Sequence, residues 1–368
     1  MTPDEPIDPG AGANESSPRP RRGRGANSTP APRYLQERRE RFDDGWRDED
    51  PALEPLPTTV AIERPRTIIS RNASPDVPFE QSLNPYRGCE HGCSYCYARP
   101  THAYMDLSPG LDFETRLFAK PDAPRLLERE LAAPGYRCRP IALGANTDPY
   151  QPIERRHRIT RAVIEVLAAC RHPFTIVTKS ALVERDLDLL APLAAQKLVE
   201  VFVSVTTLDR GLARRMEPRA AAPQRRLETI GALRAAGVPV GVLFAPVIPA
   251  LNDHELEAVL QAAVEHGAGC AGYVLLCLPR EVEPVFVQWL RAHEPLRADR
   301  VLGRVESMRG GARNDAAFGS RMRGSGVFAD LLRKRFERAC ARAGITRSRR
   351  DLDTTLFRPP GQAQLELL

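Results

Sequence analysis

Between residues 120 and 280 two hydrophobic rhythms alternate. Longer stretches carry apolar residues on one helical face: 123–132, 161–169, 184–193, 224–236 and 253–265. Each is followed by a short, nearly unbroken apolar run rich in β-branched residues: 140–143, 174–178, 199–205, 240–244 and 272–276. Strands that are apolar on both faces are covered on both, which is how a parallel sheet flanked by helices is built. The run 67–70, Thr-Ile-Ile-Ser, reads as one more strand ahead of the series. Six strands are too few to close an eight-stranded barrel. The pattern therefore predicts an α/β fold with a parallel sheet, and its functional residues belong at the C-terminal ends of the strands.

The two ends of the chain break this rhythm. Residues 1–57 are rich in Pro, Gly, Ser and charge and poor in aliphatics. Such a segment buries too little apolar surface to offset chain entropy, so a disordered N-terminal tail is expected, with a short helix over 35–46 and a solvated Arg-rich piece from Arg19 to Arg24. Deleting it is expected to leave the rest intact. The core is expected over 58–295, with a helix at 283–291. Residues 296–368 form a C-terminal extension with one long helix, 327–342, and a tail from Phe357. In that helix Val327, Phe328, Leu331, Leu332, Phe336, Ala339 and Cys340 share one face, which is expected to pack on the core. The segment 307–326 is rich in Gly and Arg without periodicity; it suits a loop over the open side of the sheet or a phosphate-contacting loop.

Charge changes the picture at both ends. Residues 1–55 carry a net charge of −3, and residues 291–350 a net charge of +10. A basic extension fits a polyanionic partner such as nucleic acid. It equally fits a compositional bias, because 49 of the 53 basic residues are Arg. The longest apolar runs fall short of a membrane span, and the N-terminus lacks the apolar region of a secretory signal. Five of the eight cysteines, Cys138, Cys170, Cys270, Cys277 and Cys340, are scattered singly, which suits the reducing cytoplasm rather than a disulfide framework.

The other three cysteines carry the candidate chemistry. Cys89, Cys93 and Cys96 lie in Ser82-Leu-Asn-Pro-Tyr-Arg-Gly-Cys-Glu-His-Gly-Cys-Ser-Tyr-Cys96, spaced C-x3-C-x2-C among the loop formers Asn84-Pro85, Gly88 and Gly92. Glycines let such a loop fold back so that side chains converge. Three thiolates suit three irons of a cubane cluster and leave the fourth open, as catalytic metal sites do. Zinc and a disulfide are the alternatives; zinc asks for a fourth ligand, and His91, inside the loop, is the local candidate.

This run, with Tyr95 as the aromatic of C-x3-C-x-aromatic-C, resembles the radical S-adenosylmethionine (SAM) superfamily, and NPYRGCEHGCSYCYARPTHAY resembles its spore photoproduct lyase-like branch. Two further runs match that branch: Gly144-Ala-Asn-Thr-Asp-Pro-Tyr-Gln-Pro-Ile-Glu154 and Arg215-Met-Glu-Pro-Arg219. The resemblance extends from about Ser82 to about Pro279. It implies a partial (β/α)6 TIM-like barrel and a [4Fe-4S] cluster on Cys89, Cys93 and Cys96. It also implies SAM chelated at the free iron and cleaved reductively to a 5′-deoxyadenosyl radical, and an external electron donor of flavodoxin or ferredoxin type. Tyr95 is implied to pack near the adenine, and Glu217 and Arg219 to be site residues.

The strand ends add candidates. Asn146 and Thr147 offer hydrogen bonds beside small residues that let a ligand approach. Lys179, just past a buried strand, is placed to pair with a carboxylate such as that of SAM. Ser204 brings a hydroxyl toward the ribose or methionine end. His102 and Tyr104 follow the cysteines and are placed to face the site, or to lie on a packed helix. Asn252 and Asp253 read as N-caps. The additional cysteine of spore photoproduct lyase has no clear counterpart; Cys138 is the nearest, and it reads as core. The leading reading is a radical SAM enzyme, with a lyase-like reaction as one option, acting on an unknown substrate that its branch suggests is nucleic acid. The alternative is a non-catalytic iron–sulfur or zinc module that binds nucleic acid, which leaves the two further runs unexplained.

Overall fold

The structure is a computed structural model that describes residues 20–34, 56–347 and 350–361. Four short strands come first: β1 (Thr59–Ile62), β2 (Ile69–Arg71), β3 (Gln81–Leu83) and β4 (Tyr86–Arg87). A helical turn, α1 (Asp112–Thr115), leads into β5 (Arg116–Ala119). Helices and strands then alternate: α2 (Ala123–Leu131), β6 (Ile141–Leu143), α3 (Glu154–His157), α4 (Ile159–Ala169), β7 (Phe174–Thr178), α5 (Leu187–Ala195), β8 (Val199–Ser204), α6 (Arg210–Met216), α7 (Pro223–Ala235), β9 (Val240–Val247), α8 (Leu256–Glu265) and β10 (Cys270–Leu275). Three helices follow: α9 (Val282–His293), α10 (Ala298–Ser307) and α11 (Gly326–Ala343).

The main sheet runs in the order β10-β9-β8-β7-β6-β3-β2. From β3 to β10 every pairing is parallel. The apolar rhythm thus gave the parallel series its class and its six members, but not its first member. The strand feeding the cysteine loop is β3, Gln-Ser-Leu, and the apolar run expected there is β2, an antiparallel edge strand. Gln81 hides β3 from a hydrophobic reading. It is buried at 1 % exposure because its amide donates to the Arg137 carbonyl and accepts from the Tyr136 hydroxyl. A separate small sheet, β1-β5-β4, also lay outside the pattern; β4 pairs with β5 and carries the chain into the loop.

The C-terminal extension completes this core. Helix α11 buries Ala329, Leu332, Phe336, Ala339 and Cys340, and Arg335 pairs with Glu257 of α8 at 2.6 Å. The first turn of its expected inner face does not pack: Val327, Phe328 and Leu331 are exposed, and the Arg304 guanidinium lies 3.4 Å from the centre of the Phe328 ring. Thr346 bridges Cys270 on the outer edge of β10. Phe357, expected in a tail, packs on Tyr136 and His172 with ring centres 5.6 and 5.2 Å away.

The segment between α10 and α11 joins the two flanks of the sheet. The Leu275 amide donates to Met322, while Arg321 pairs with Asp76 and bonds to Ser74 in the β2–β3 connection. Asn252 holds the N-cap position of the 3-10 turn Asp253–Glu255 ahead of α8, but its side chain accepts from the Ile248 amide and donates to the Thr206 and Pro246 carbonyls, locking the preceding turn instead of bonding to that helix. The short helix expected over 35–46 lies outside the described residues. Among the described residues no helix is long and apolar enough to cross a membrane.

Candidate active site at the strand ends

The cysteine loop leaves the C-terminal end of β3 and is fixed by residues from the end of β6. Asn84 accepts from the amides of Asn146 and Thr147 at 2.9 and 3.3 Å. The Thr147 hydroxyl donates to the Tyr86 carbonyl, and the Tyr86 hydroxyl to Glu154. Gln151 accepts from the Glu90 amide at 2.9 Å and donates to the Gly88 carbonyl at 3.1 Å. The two motifs therefore interlock, the second acting largely as scaffold for the first. Gly88 shows why the loop needs glycine: its φ is +75°, and a Cβ there would meet Leu117 at 2.7 Å and His102 at 2.9 Å.

Within the loop Cys89 and Cys93 are buried and Cys96 is partly buried; all three are free thiols. Burial pushes all three thiols up, Cys93 to about 12. Each also feels charge from beyond the loop. Asp148 opposes ionisation of Cys89 through its carboxylate, while its amide donates to that sulfur. Glu217 opposes ionisation of Cys93, and Lys179 favours it. Arg99, the Ala98 amide and Lys179 all favour the Cys96 thiolate. Among the described residues no three His, Cys, Asp or Glu side chains gather as the ligands of a single ion would. His91, the local candidate for a fourth zinc ligand, instead has its Nδ1 3.3 Å from Asp148.

The other predicted residues divide into two groups. Asn146 is exposed beyond β6, and Lys179 is half-buried with its ammonium 5.9 Å from the centre of the Tyr95 ring. These two side chains remain open to a ligand. Thr147, Tyr95 and Glu217 are occupied within the protein. The Tyr95 and Thr206 hydroxyls both donate to one oxygen of Glu217, and the Arg226 guanidinium donates to the other. Burial opposes ionisation of Glu217, but Arg226, Lys179 and the two hydroxyls outweigh it and hold its pKa at about 2. Ser204 is buried at the end of β8, where its carbonyl accepts from Arg226. Arg219 pairs with Glu90 of the loop, and its amide donates to the His91 carbonyl.

His102 lies under the loop rather than in the site, its ring 5.1 Å from Phe113, and burial lowers its pKa to about 4. Tyr104 is exposed and stacks on Tyr34. Cys138 is partly buried, two residues after Tyr136, at a distance from the loop in sequence and outside its hydrogen-bond network.

Sequence reasoning missed the support beneath the loop. Arg99, fully buried, donates to the Cys93 carbonyl through Nε at 2.9 Å and Nη2 at 2.7 Å, and pairs with buried Glu114. Glu114 also accepts from the amides of Gly25 and Ala26 at 3.0 and 2.8 Å. Residues 20–34, expected to be disordered, are therefore partly built into the site. Arg24 is buried, not solvated: it donates to the Glu114 carbonyl at 3.1 Å and to the Leu56 carbonyl at 2.5 Å. The composition of this piece predicts disorder because polar bonds, not apolar burial, hold it. The Gly-Arg-Gly-Ala run was the available signal, since a backbone approach this close admits only small residues. Beyond the strand ends, Tyr97 donates to the Ala145 carbonyl, and Cys277 donates to the Arg321 carbonyl at 2.8 Å.

Comparison with known proteins gives a family-model match and a fold. Residues 83–263 match the model of the Radical SAM superfamily. An uncharacterized protein of Mycobacterium tuberculosis H37Rv is 42% identical over 223 residues, 60% of this chain and 66% of that one. The chain thus spans slightly less than two-thirds of that relative's length. An uncharacterized protein of Acidianus two-tailed virus is 30% identical over 195 residues, covering 50% of this chain and 64% of its own. Among solved structures, spore photoproduct lyase complexed with dinucleoside spore photoproduct aligns with a TM-score of 0.55 at 14% identity over 77% of this chain and 79% of its own. A double mutant of that lyase with bound AdoMet and the same dinucleoside aligns with a TM-score of 0.55 at 15% identity, over 77% and 78%.

Proposed function

We propose, from the match of residues 83–263 to the Radical SAM superfamily model, that the chain is a radical SAM enzyme whose Cys89, Cys93 and Cys96 hold a [4Fe-4S] cluster. The observation that carries this reading is the three-thiol loop at the strand ends with Lys179 in the field of Cys93 and Cys96. The donor set fits the cluster: three unpaired thiols influence one another, and backbone amides of Asp148 and Ala98 already point at two of the sulfurs. When bound, the cluster supplies the electron for reductive cleavage of SAM.

The chain's own residues bind and orient. Lys179 pairs with the SAM carboxylate, and Asn146 donates or accepts at the same rim. Tyr95, Thr147, Ser204, Glu217 and Arg219 position the loop and the strand ends rather than touch SAM. An external one-electron carrier supplies the reductant. Eight free thiols suit a reducing cytoplasm. For the substrate we propose a nucleic acid or nucleotide, on the strength of the Arg–aromatic pairs Arg304–Phe328 and Arg321–Phe318 in the basic C-terminal region.

Anaerobically reconstituted protein given dithionite and SAM is expected to release 5′-deoxyadenosine, measured by chromatography; no release above a protein-free control rejects the enzyme. Lys179→Ala tests the placement of SAM. Truncating one partner of a partly desolvated charge pair costs about 2–5 kcal/mol, so SAM affinity by anaerobic equilibrium dialysis is expected to fall about ten-fold or more, with iron content unchanged. Wild-type affinity in this variant rules out the carboxylate contact.

A further inference from the structure

The N-terminal piece makes closer contact with the thiol loop than packing alone requires. A Cβ on Gly25 would land on the carbonyl oxygen of Gly92, and one on Gly92 would meet Glu114 at 2.7 Å. A Cβ on Gly110 would land on the Ser28 carbonyl, which accepts from the Leu111 amide at 3.1 Å. The Ser28 hydroxyl donates to Gln288 of α9, and Arg33 pairs with Glu281 just before that helix. Residues 24–28 therefore run against Gly92, the residue just before Cys93, and are tied at both ends. One chain of bonds links them to a thiol residue: the Gly25 and Ala26 amides to Glu114, Glu114 to Arg99, and Arg99 to the Cys93 carbonyl.

We infer that residues 24–28 are a clasp that closes over the thiol loop at Gly92 and, through the positioning residues Glu114 and Arg99, fixes Cys93. The clasp shields the sulfurs, and any cluster they hold, from solvent and oxygen. The part that concerns a cluster rests on the function proposed above; the shielding of the thiols does not.

Full-length Gly25→Val cannot seat the clasp, because its side chain occupies the place of the Gly92 carbonyl. Arg24→Ala loosens the clasp without a clash. Arg22→Ala, at an exposed position, is the control. In metal-free, reduced protein, the alkylation of each cysteine by iodoacetamide is followed by mass spectrometry. Cys89 and Cys93 are expected to react about ten-fold faster in Gly25→Val and several-fold faster in Arg24→Ala, as for a local opening, with Cys170 and Cys340 unchanged. Wild-type rates at Cys89 and Cys93 in both variants overturn the inference. Faster reaction at all cysteines together would signal general unfolding, and overturns it if Arg24→Ala behaves the same way. After anaerobic reconstitution, Gly25→Val is expected to start with the iron content of the unaltered chain and to lose its visible absorbance in air about ten-fold faster. Equal lifetimes in air overturn the protective role. Failure of the unaltered chain to take up iron rejects the cluster assignment instead and leaves the alkylation result to decide the clasp.

Discussion

Cys93→Ala is expected to leave the reconstituted protein without its broad visible absorbance and with far fewer than the about four irons per chain of a cubane. Cys93 is held from both sides of its backbone. Its carbonyl takes two bonds from Arg99, and the amide of the next residue donates to the Met216 carbonyl at 3.0 Å. Its side chain is thus held at a fixed place rather than on a mobile loop, so no neighbouring cysteine can substitute by a small movement. Cys89→Ala and Cys96→Ala are expected to behave alike. Cys340→Ala, buried against the core on α11, serves as a control and is expected to keep full iron. Iron and absorbance are measured on the same anaerobic sample; full retention of both in Cys93→Ala refutes the assignment.

Glu217→Ala is expected to cost about 3–5 kcal/mol of folding stability, as when one member of a buried ion pair is removed. Arg226 is 1 % exposed, and without Glu217 its charge stays buried with only the Ala221 and Ser204 carbonyls as acceptors. The Tyr95 hydroxyl loses its acceptor at the same time. That cost is a large share of the 5–15 kcal/mol typical of a domain. Urea unfolding reads it directly, and a midpoint within error of the unaltered chain would contradict it. The sign of the pH effect follows from the same group. Its folded pKa, about 2, is below the ordinary value of 4.5, so its stabilisation is full above pH 4.5 and is lost as pH falls toward 2. Glu217→Gln is expected to flatten that acid limb of the stability profile.

What the sequence disclosed follows its physics. The buried strands β7, β8 and β9 announce themselves because parallel strands covered on both faces need unbroken apolar runs. The cysteine loop is legible because three thiols at such spacing have few other uses. β3 was not legible, since a strand whose buried Gln81 is satisfied by Tyr136 and Arg137 has no apolar signature. For Glu217 and Thr147 the internal partners were not legible in the sequence. A carboxylate or hydroxyl reads the same in sequence whether it faces a ligand or an internal partner, and only the positions of Arg226, Tyr95 and Tyr86 decide. Glu114 and Arg99 left no signal, because apart from their own ion pair their partners are backbone carbonyls and amides that any residue supplies.

A sheet that does not close keeps two rims, and unpaired rims invite other chains to add strands. Here each rim is blunted by a different device. The β2 rim is three residues long and ends in Arg71, while the β10 rim is met by Thr346 from beyond α11. The segment carrying Arg321 and Met322 spans from one rim to the other. The C-terminal extension thus gives this open sheet what full circular closure gives a barrel: little backbone left on which a growing β-aggregate can template. A chain shortened before α10 would keep every residue of the proposed active site and still be the one to precipitate.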